Sequence, residues 1–150
     1  MPTLQAPPAG WPRLSSTLLY DNAREAIAWL VTAFGFEIQL VVDAPDGSVA
    51  HSQLVFGEAL IMVGEGGAAR APRFGVPLRS PRHLGGANSQ SLMLYVDDVD
   101  AHCARARAAG ATIVAEPALQ DYGPAYWADR GYGALDCDGH LWWFCQRVRG

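Results

Sequence analysis

Few residues of this chain are placed to do chemistry, and they are widely spaced. The four histidines (His51, His83, His102, His140) include no pair at HxxxH spacing, and the three cysteines (Cys103, Cys137, Cys145) lack metal-ligand spacing. No serine or cysteine has a base and an acid at a spacing that marks a nucleophile. In VAHSQLVF, strand alternation puts Leu54 and Phe56 on one face and His51, Gln53 and Val55 on the other. His51 is the best catalytic candidate on these grounds, with Gln53 beside it; the alternative is a strand-end histidine that is merely hydrogen-bonded. The other chemistry on offer is stacking. YGPAYWADRGYG holds Tyr122, Tyr126, Trp127 and Tyr132 around an Asp129-Arg130 pair, and DCDGHLWWFCQ runs from a turn into adjacent tryptophans, Trp142 and Trp143, which alternation sends to opposite faces. Aromatics so clustered make either ordinary edge packing or a box for a flat ligand, each good contact adding ~0.5–1.5 kcal/mol beyond area burial. Arg130 can meet an anionic group, or simply Asp129 or another local carboxylate. His140 follows Asp138-Gly139 in a tight turn, and His102 and His83 read as exposed.

The elements that position these residues follow from composition and repetition. Half of the 150 residues are apolar and 17% are charged, which suits one packed domain over residues 1–150. The net charge is −4 and every basic residue is an arginine, with no basic block outside one loop, so nucleic acid is not an expected partner. No apolar run reaches the roughly 20 residues of a membrane span. MPTLQAPPAGWPRL lacks the layout of a signal peptide, and three unpaired-looking cysteines suit a reducing compartment; the expected location is the cytoplasm.

The chain is written twice. At an offset of 76, Ser15 matches Ser91, Leu18 matches Leu94, Asp21 matches Asp97, Ala28 matches Ala104 and Ala33 matches Ala109. Both copies share one grammar of short strand, acidic turn, helix, glycine and strand. Asn22 caps the first helix with Glu25 three residues on, Ala26, Ile27, Leu30, Val31 and Phe34 form its buried stripe, and Gly35 suits its left-handed end. In the second copy Asp98 caps, Val99, Cys103 and Ala106 face inward, and Gly110 stops the helix. Strands are predicted over Glu37–Val42, Val49–Phe56 and Ala59–Val63, then Thr112–Ala118, a looser piece over Tyr126–Leu135, and Leu141–Arg147. Each half therefore reads βαβββ: module one at about 14–64, module two at about 89–147. Between them, residues 65–88, rich in Gly, Pro and Arg, read as a linker whose four arginines (Arg70, Arg73, Arg79, Arg82) form a solvated loop or, alternatively, a binding surface.

A tandem βαβββ repeat of this length, carried by YDNAREAIAWLVTAFGFE, SLMLYVDDVDAHCARARAAGA and WADRGYGALDCDGHLWWF, resembles the vicinal oxygen chelate superfamily of glyoxalases, dioxygenases and bleomycin-resistance proteins. VAHSQL followed by a glycine-rich linker and LYVDDVDA is similar to the PhnB-like, glyoxalase-like branch. The resemblance implies an α+β fold in which the two modules form a cupped, partly open mixed β-barrel with helices outside. It also implies a homodimer, a cavity on the face of the strands away from the helices, and a structural role for His140 as the brace of its turn. The metal-ligand positions of such relatives fall here on Ser15, Ile61 (Met62 if the register shifts by one), Ser91 and Trp143, and none supplies imidazole or carboxylate. By this likeness Trp143 occupies the cavity while Trp142 points to the helices, and alternation from Ser91 through Met93 brings Tyr95 to the same side. The expected ligand contacts are His51, Gln53, Ser91, Met93, Tyr95, Trp127, Arg130 and Trp143. The expected function is metal-free binding of a small aromatic or apolar molecule, in a sequestering or resistance role. The alternative is a lyase, isomerase or dioxygenase holding a divalent metal by a non-standard set such as His51 with nearby acids.

Overall fold

The computed structural model describes all 150 residues. Strand β1 (Ser16–Tyr20) leads into helix α1 (Ala23–Phe34), and β2 (Glu37–Asp43), β3 (Val49–Phe56) and β4 (Ala59–Glu65) complete the first module. After the linker, which contains one 3-10 turn at Pro81–His83, the same order returns as β5 (Leu92–Tyr95), α2 (Val99–Ala108), β6 (Thr112–Asp121), β7 (Ala128–Leu135) and β8 (Leu141–Arg149). The α+β reading and the tandem repeat hold. The two four-stranded sheets have orders β1-β4-β3-β2 and β5-β8-β7-β6, with the first strand of each parallel to the last and the others antiparallel. Both sheets are thus mixed, and they do not close on each other. No helix is long and apolar enough to cross a membrane.

Local chemistry sets the helix ends. The Asn22 side chain accepts the Glu25 N–H at 3.1 Å, and Asp98 accepts the Ala101 N–H at 3.0 Å, so each helix opens on a satisfied donor. Gly35 closes α1 at φ 84°, a left-handed conformation that costs glycine nothing. In β6, the register shifts between Ile113 and Ala115 and again between Ala115 and Ala118. That irregularity accommodates Pro117, which has no N–H to give a ladder, and lets the strand run on to Asp121, past its predicted end. Strand β7 starts at Ala128 rather than Tyr126, because Tyr126 donates to Gly123 O and Trp127 O accepts from Tyr122 within the preceding turn.

One face of each sheet packs on the helices, and both modules feed a single core of 22 buried residues. Phe34 at the end of α1 lies 5.4 Å from the Trp142 ring and 4.7 Å from Phe144, both on β8 of the other module. Polar links cross the same junction. Trp29 Nε1 donates to Ala109 O at 2.9 Å, Arg105 donates to the carbonyls of Val31 and Thr32, and His140 Nε2 donates to Leu19 O at 2.7 Å. The brace expected of His140 is therefore a bond from its turn to the other module.

Asp136 is the hub of the junction: it is buried and accepts from Tyr20 Oη, Trp142 Nε1 and the N–H groups of Asp138 and His140. Burial and the Asp136 carboxylate push the Tyr20 hydroxyl well above the usual tyrosine range, keeping it a donor. His102 corrects the sequence reading. It is half-buried rather than exposed, donating through Nε2 to Phe34 O at 2.8 Å and accepting through Nδ1 from Tyr132 Oη at 2.6 Å. Burial lowers its pKa, so the neutral ring that both bonds require is the favoured form.

Candidate functional site

The faces of the sheets away from the helices are open, and their composition differs. In the second sheet, strand register lines up three rows. Met93, Trp143, Gly133 and Ala115 form the first; Tyr95, Cys145, Gly131 and Ala118 the second; Arg147, Asp129 and Gln120 the third. The two tryptophans separate as alternation requires: Trp142 is 1% exposed among Phe34, Phe36 and Phe144, and Trp143 is 37% exposed on the open face.

Glycines make room for this surface. A Cβ added at Gly133 would lie 2.6 Å from Trp143 Cζ3 and 3.0 Å from both Cε3 and Cη2, so the six-membered ring of the indole rests directly over that glycine. At Gly131 a Cβ would meet Cys145 Sγ at 3.1 Å. Together with Ala115 and Ala118, these positions form a low floor with the indole lying flat upon it. Beyond the floor, the Arg147 guanidinium sits 5.3 Å from the centroids of both Tyr95 and Trp127. It ion-pairs with Asp129 at 2.6 Å and donates to Tyr95 Oη, which in turn donates to Asp129 at 2.9 Å. Desolvation first, and then Asp129, raise the Tyr95 pKa, so its hydroxyl stays protonated and polar rather than charged.

The eight expected ligand contacts are not all brought together. Met93, Tyr95 and Trp143 share the open face of the second sheet, and Trp127 reaches it through Arg147 and its packing with Tyr122 and Tyr126. Ser91 lines a cavity of about 390 Å³ along the gap between β1 and β5, which also holds Ser15 and Met93 but not Tyr95 or Trp143. Met93 is the residue common to gap and platform. His51 and Gln53 lie on the open face of the first sheet, bonded to each other at 2.8 Å, with Gln53 Nε2 donating to Gln39 at 2.6 Å. The cavity that His51 borders contains none of the second sheet's residues. Arg130 takes the local-carboxylate alternative in place of a ligand contact: its guanidinium makes a bidentate pair with Asp100 of α2, so it belongs to the helix-covered side and is absent from the platform. Arg147, Gly131 and Gly133 were not among the residues expected from sequence, and Asp129 was named there only beside Arg130. The signal was present in GxG within a strand and in β8 alternation from Trp143 to Arg147.

As a metal site the positions taken from the resemblance do not fit. Ile61 is buried on the helix side, which leaves Met62 on the open face opposite Thr17. Ser15, Met62, Ser91 and Trp143 then offer two hydroxyls, a thioether and an indole, against the imidazole and carboxylate that divalent ions want. No group of three His, Cys, Asp or Glu side chains is assembled elsewhere. His51 has a glutamine, not an acid, as its hydrogen-bond partner. Burial raises the pKa of all three thiols, Cys137 to about 12, so none is an activated thiolate.

The family model of the Glyoxalase/Bleomycin resistance protein/Dioxygenase superfamily matches residues 14–144. The chain belongs to that superfamily. An uncharacterized protein of Mycobacterium bovis is 37% identical over 140 residues, covering 92% of this chain and 85% of its own. One of Mycobacterium tuberculosis is also 37% identical, covering 92% and 76%. Among solved structures of this superfamily's fold, TioX from Micromonospora sp. ML1 is 32% identical, with TM-score 0.63 over 93% of this chain and 98% of TioX. TnmS3, an antibiotic binding protein from Streptomyces sp. CB03234, shares the fold at 19% identity, with TM-score 0.58 over 89% and 93% of the two chains.

Proposed function

We propose that this superfamily member binds a planar, largely apolar small molecule on the open face of its second sheet, in a sequestering or resistance role and without a metal. The observation that carries the reading is the Trp143 indole seated flat over Gly133, one ring face against the backbone floor and the other open. A large side chain held flat on a sheet and left partly exposed is costly as packing and useful as a stacking surface. Met93 and Tyr95 flank it, and Arg147, held by Asp129, Tyr95 and Trp127, closes the far end. The donor set gives no support to the metal-dependent lyase or dioxygenase alternative. The antibiotic-binding role of TnmS3 is one use to which this fold is put, and within the superfamily we assign the chain to the PhnB-like branch on the resemblance of VAHSQL and LYVDDVDA.

The test is a screen of planar aromatic probes by tryptophan fluorescence quenching, in the presence of EDTA. Anthraquinone-2-sulfonate and quinoline-2-carboxylate are suitable first probes. Trp143→Ala is expected to weaken binding at least about tenfold, from the loss of ~150–250 Å² of buryable aromatic surface. Gly133→Ala should do nearly as much with Trp143 present, because the new methyl displaces the ring from its seat. If no planar probe binds, or if EDTA abolishes binding, the proposal is wrong.

We also propose a homodimer. Leu40 and Val42 on the first sheet, and Val114 on the second, are large apolar side chains left exposed on strands outside the Trp143 platform. Light scattering at micromolar concentration is expected to give a dimeric mass; a monomer at all concentrations would refute this.

A further inference from the structure

Nine of the eleven arginines place their guanidinium groups on carboxylates or carbonyls of the chain. Arg70 and Arg73 do not: neither guanidinium makes a hydrogen bond or an ion pair, and that of Arg73 has only the ring of its neighbour Phe74, 5.7 Å from the centroid. Both lie in the linker, and both border one cavity of about 210 Å³ on the open face of the first sheet, with Thr17, His51, Met62 and Leu78. The cavity is separate from the Trp143 platform.

The fold builds this arrangement rather than leaving it to a loose loop. Gly66 N–H donates to Tyr20 O at 2.7 Å, and Ser80 N–H donates to Gly66 O at 3.0 Å, tying the two ends of the intervening segment side by side at the end of β1. A Cβ at Gly66 would lie 2.6 Å from Leu19 Cβ and 2.9 Å from the Ser80 nitrogen, so only glycine permits the tie. Ser80 is further fixed by its hydroxyl, which donates to buried Asp138 at 2.7 Å. Residues 67–79 therefore leave and return at one point, and Arg70, Arg73 and Leu78 come back over Leu19, Met62 and His51.

The acids nearby are already engaged. Glu65 borders the cavity, but its two oxygens accept from the Ala23 and Val49 N–H groups, at 3.4 and 3.3 Å. Asp46 feels Arg70 only as the smallest of the influences that lower its pKa; its carboxylate accepts from the Ser48 hydroxyl and N–H. Two arginines without a carboxylate partner border one concave site, and an anion bound there would neutralise their charge. They also focus positive potential into a cavity on a chain whose net charge is −4.

We propose that this cavity is a second binding site, for a small organic anion. A carboxylate or phosphate group lies between Arg70 and Arg73, and a short apolar body rests on Leu19, Met62 and Leu78. At ~30 Å³ per water, the space holds about seven waters' worth of ligand, the size of a short-chain acid or a small phosphate monoester.

The experiment titrates the full chain with butyrate, butyramide and inorganic phosphate, following backbone N–H resonances of residues 66–80 by NMR. Butyrate has no ring to stack, which keeps the Trp143 platform out of the readout. Butyrate or phosphate is expected to bind, and butyramide at least about tenfold more weakly. Arg70→Gln with Arg73→Gln should weaken the anion at least about tenfold, while Arg79→Gln, at a linker arginine that does not border this cavity, should leave it unchanged. Butyrate tighter than phosphate assigns a carboxylate on an apolar body; the reverse order assigns a phosphate. The proposal is overturned if neither anion binds, if butyramide matches butyrate, or if the double variant binds as well as the wild type. Trp143→Phe should leave butyrate binding intact, so this site and the platform stand or fall separately.

Discussion

Trp142→Ala is expected to destabilise the fold by about 3–5 kcal/mol, while its neighbour's Trp143→Ala costs far less and removes ligand binding instead. Trp142 is buried between Phe34 and Phe36 of the first module and Phe144 of its own strand, and its Nε1 donates to Asp136 at 3.0 Å. Truncation deletes the indole from the shared core, leaves a cavity that three aromatic rings cannot fill, and takes one donor from a buried carboxylate. Since a domain of this kind is stable by only ~5–15 kcal/mol, that loss is a large fraction of the whole. Trp143, by contrast, already shows one ring face to solvent and rests on a glycine, so its removal opens no enclosed void. Urea denaturation separates the two: a large drop in midpoint for Trp142→Ala, and a small one for Trp143→Ala. Equal losses would mean that Trp143 is packing and that the open face is not a binding platform.

The unequal roles of two adjacent identical residues were legible because strand period is a local property. So were the helices, whose stops and starts rest on Asn22, Gly35 and Asp98 acting within one turn of chain. The rows of the platform followed for Met93, Tyr95 and Trp143, since β5 and β8 pair in register without a bulge. What could not be read was the choice of partner across the fold. Arg130 and Arg147 look alike in sequence. One finds Asp100 on the helix side; the other finds Asp129 between two aromatic rings, and only the β7–β8 register, with its shift between Ala128 and Asp129, decides which. His102 looked exposed because its own helix gave it no partner. Both of its bonds come from elsewhere, Phe34 at the end of α1 and Tyr132 on β7. The linker arginines were open between solvent and ligand for the same reason: the tie at Gly66 and Ser80 is a long-range contact with no local signature.

Residues 1–70 expressed alone are expected to be insoluble or unfolded, with no cooperative thermal transition by circular dichroism. The fragment retains β1, α1 and the other three strands of the first sheet, so its local signals are intact. What it loses is the other half of the core. Tyr20, Phe34 and Phe36 are fully buried in the whole chain, and they face Asp136, Trp142 and Phe144 of the second module. Leaving three such side chains wet forfeits roughly 1.5–3 kcal/mol each, which alone approaches the ~5–15 kcal/mol by which a domain is stable. The hydrogen bonds across the junction go as well, leaving Tyr20 Oη, Trp29 Nε1 and the carbonyls of Leu19, Val31, Thr32 and Phe34 without their partners. Nor can the fragment compensate on its other side, where Leu40 and Val42 are already exposed. With apolar surface wet on both faces of a single four-stranded sheet, aggregation is favoured over folding. A soluble fragment with a sigmoidal melt would show that each module holds a sufficient core of its own, and that the shared cluster joins two units already folded.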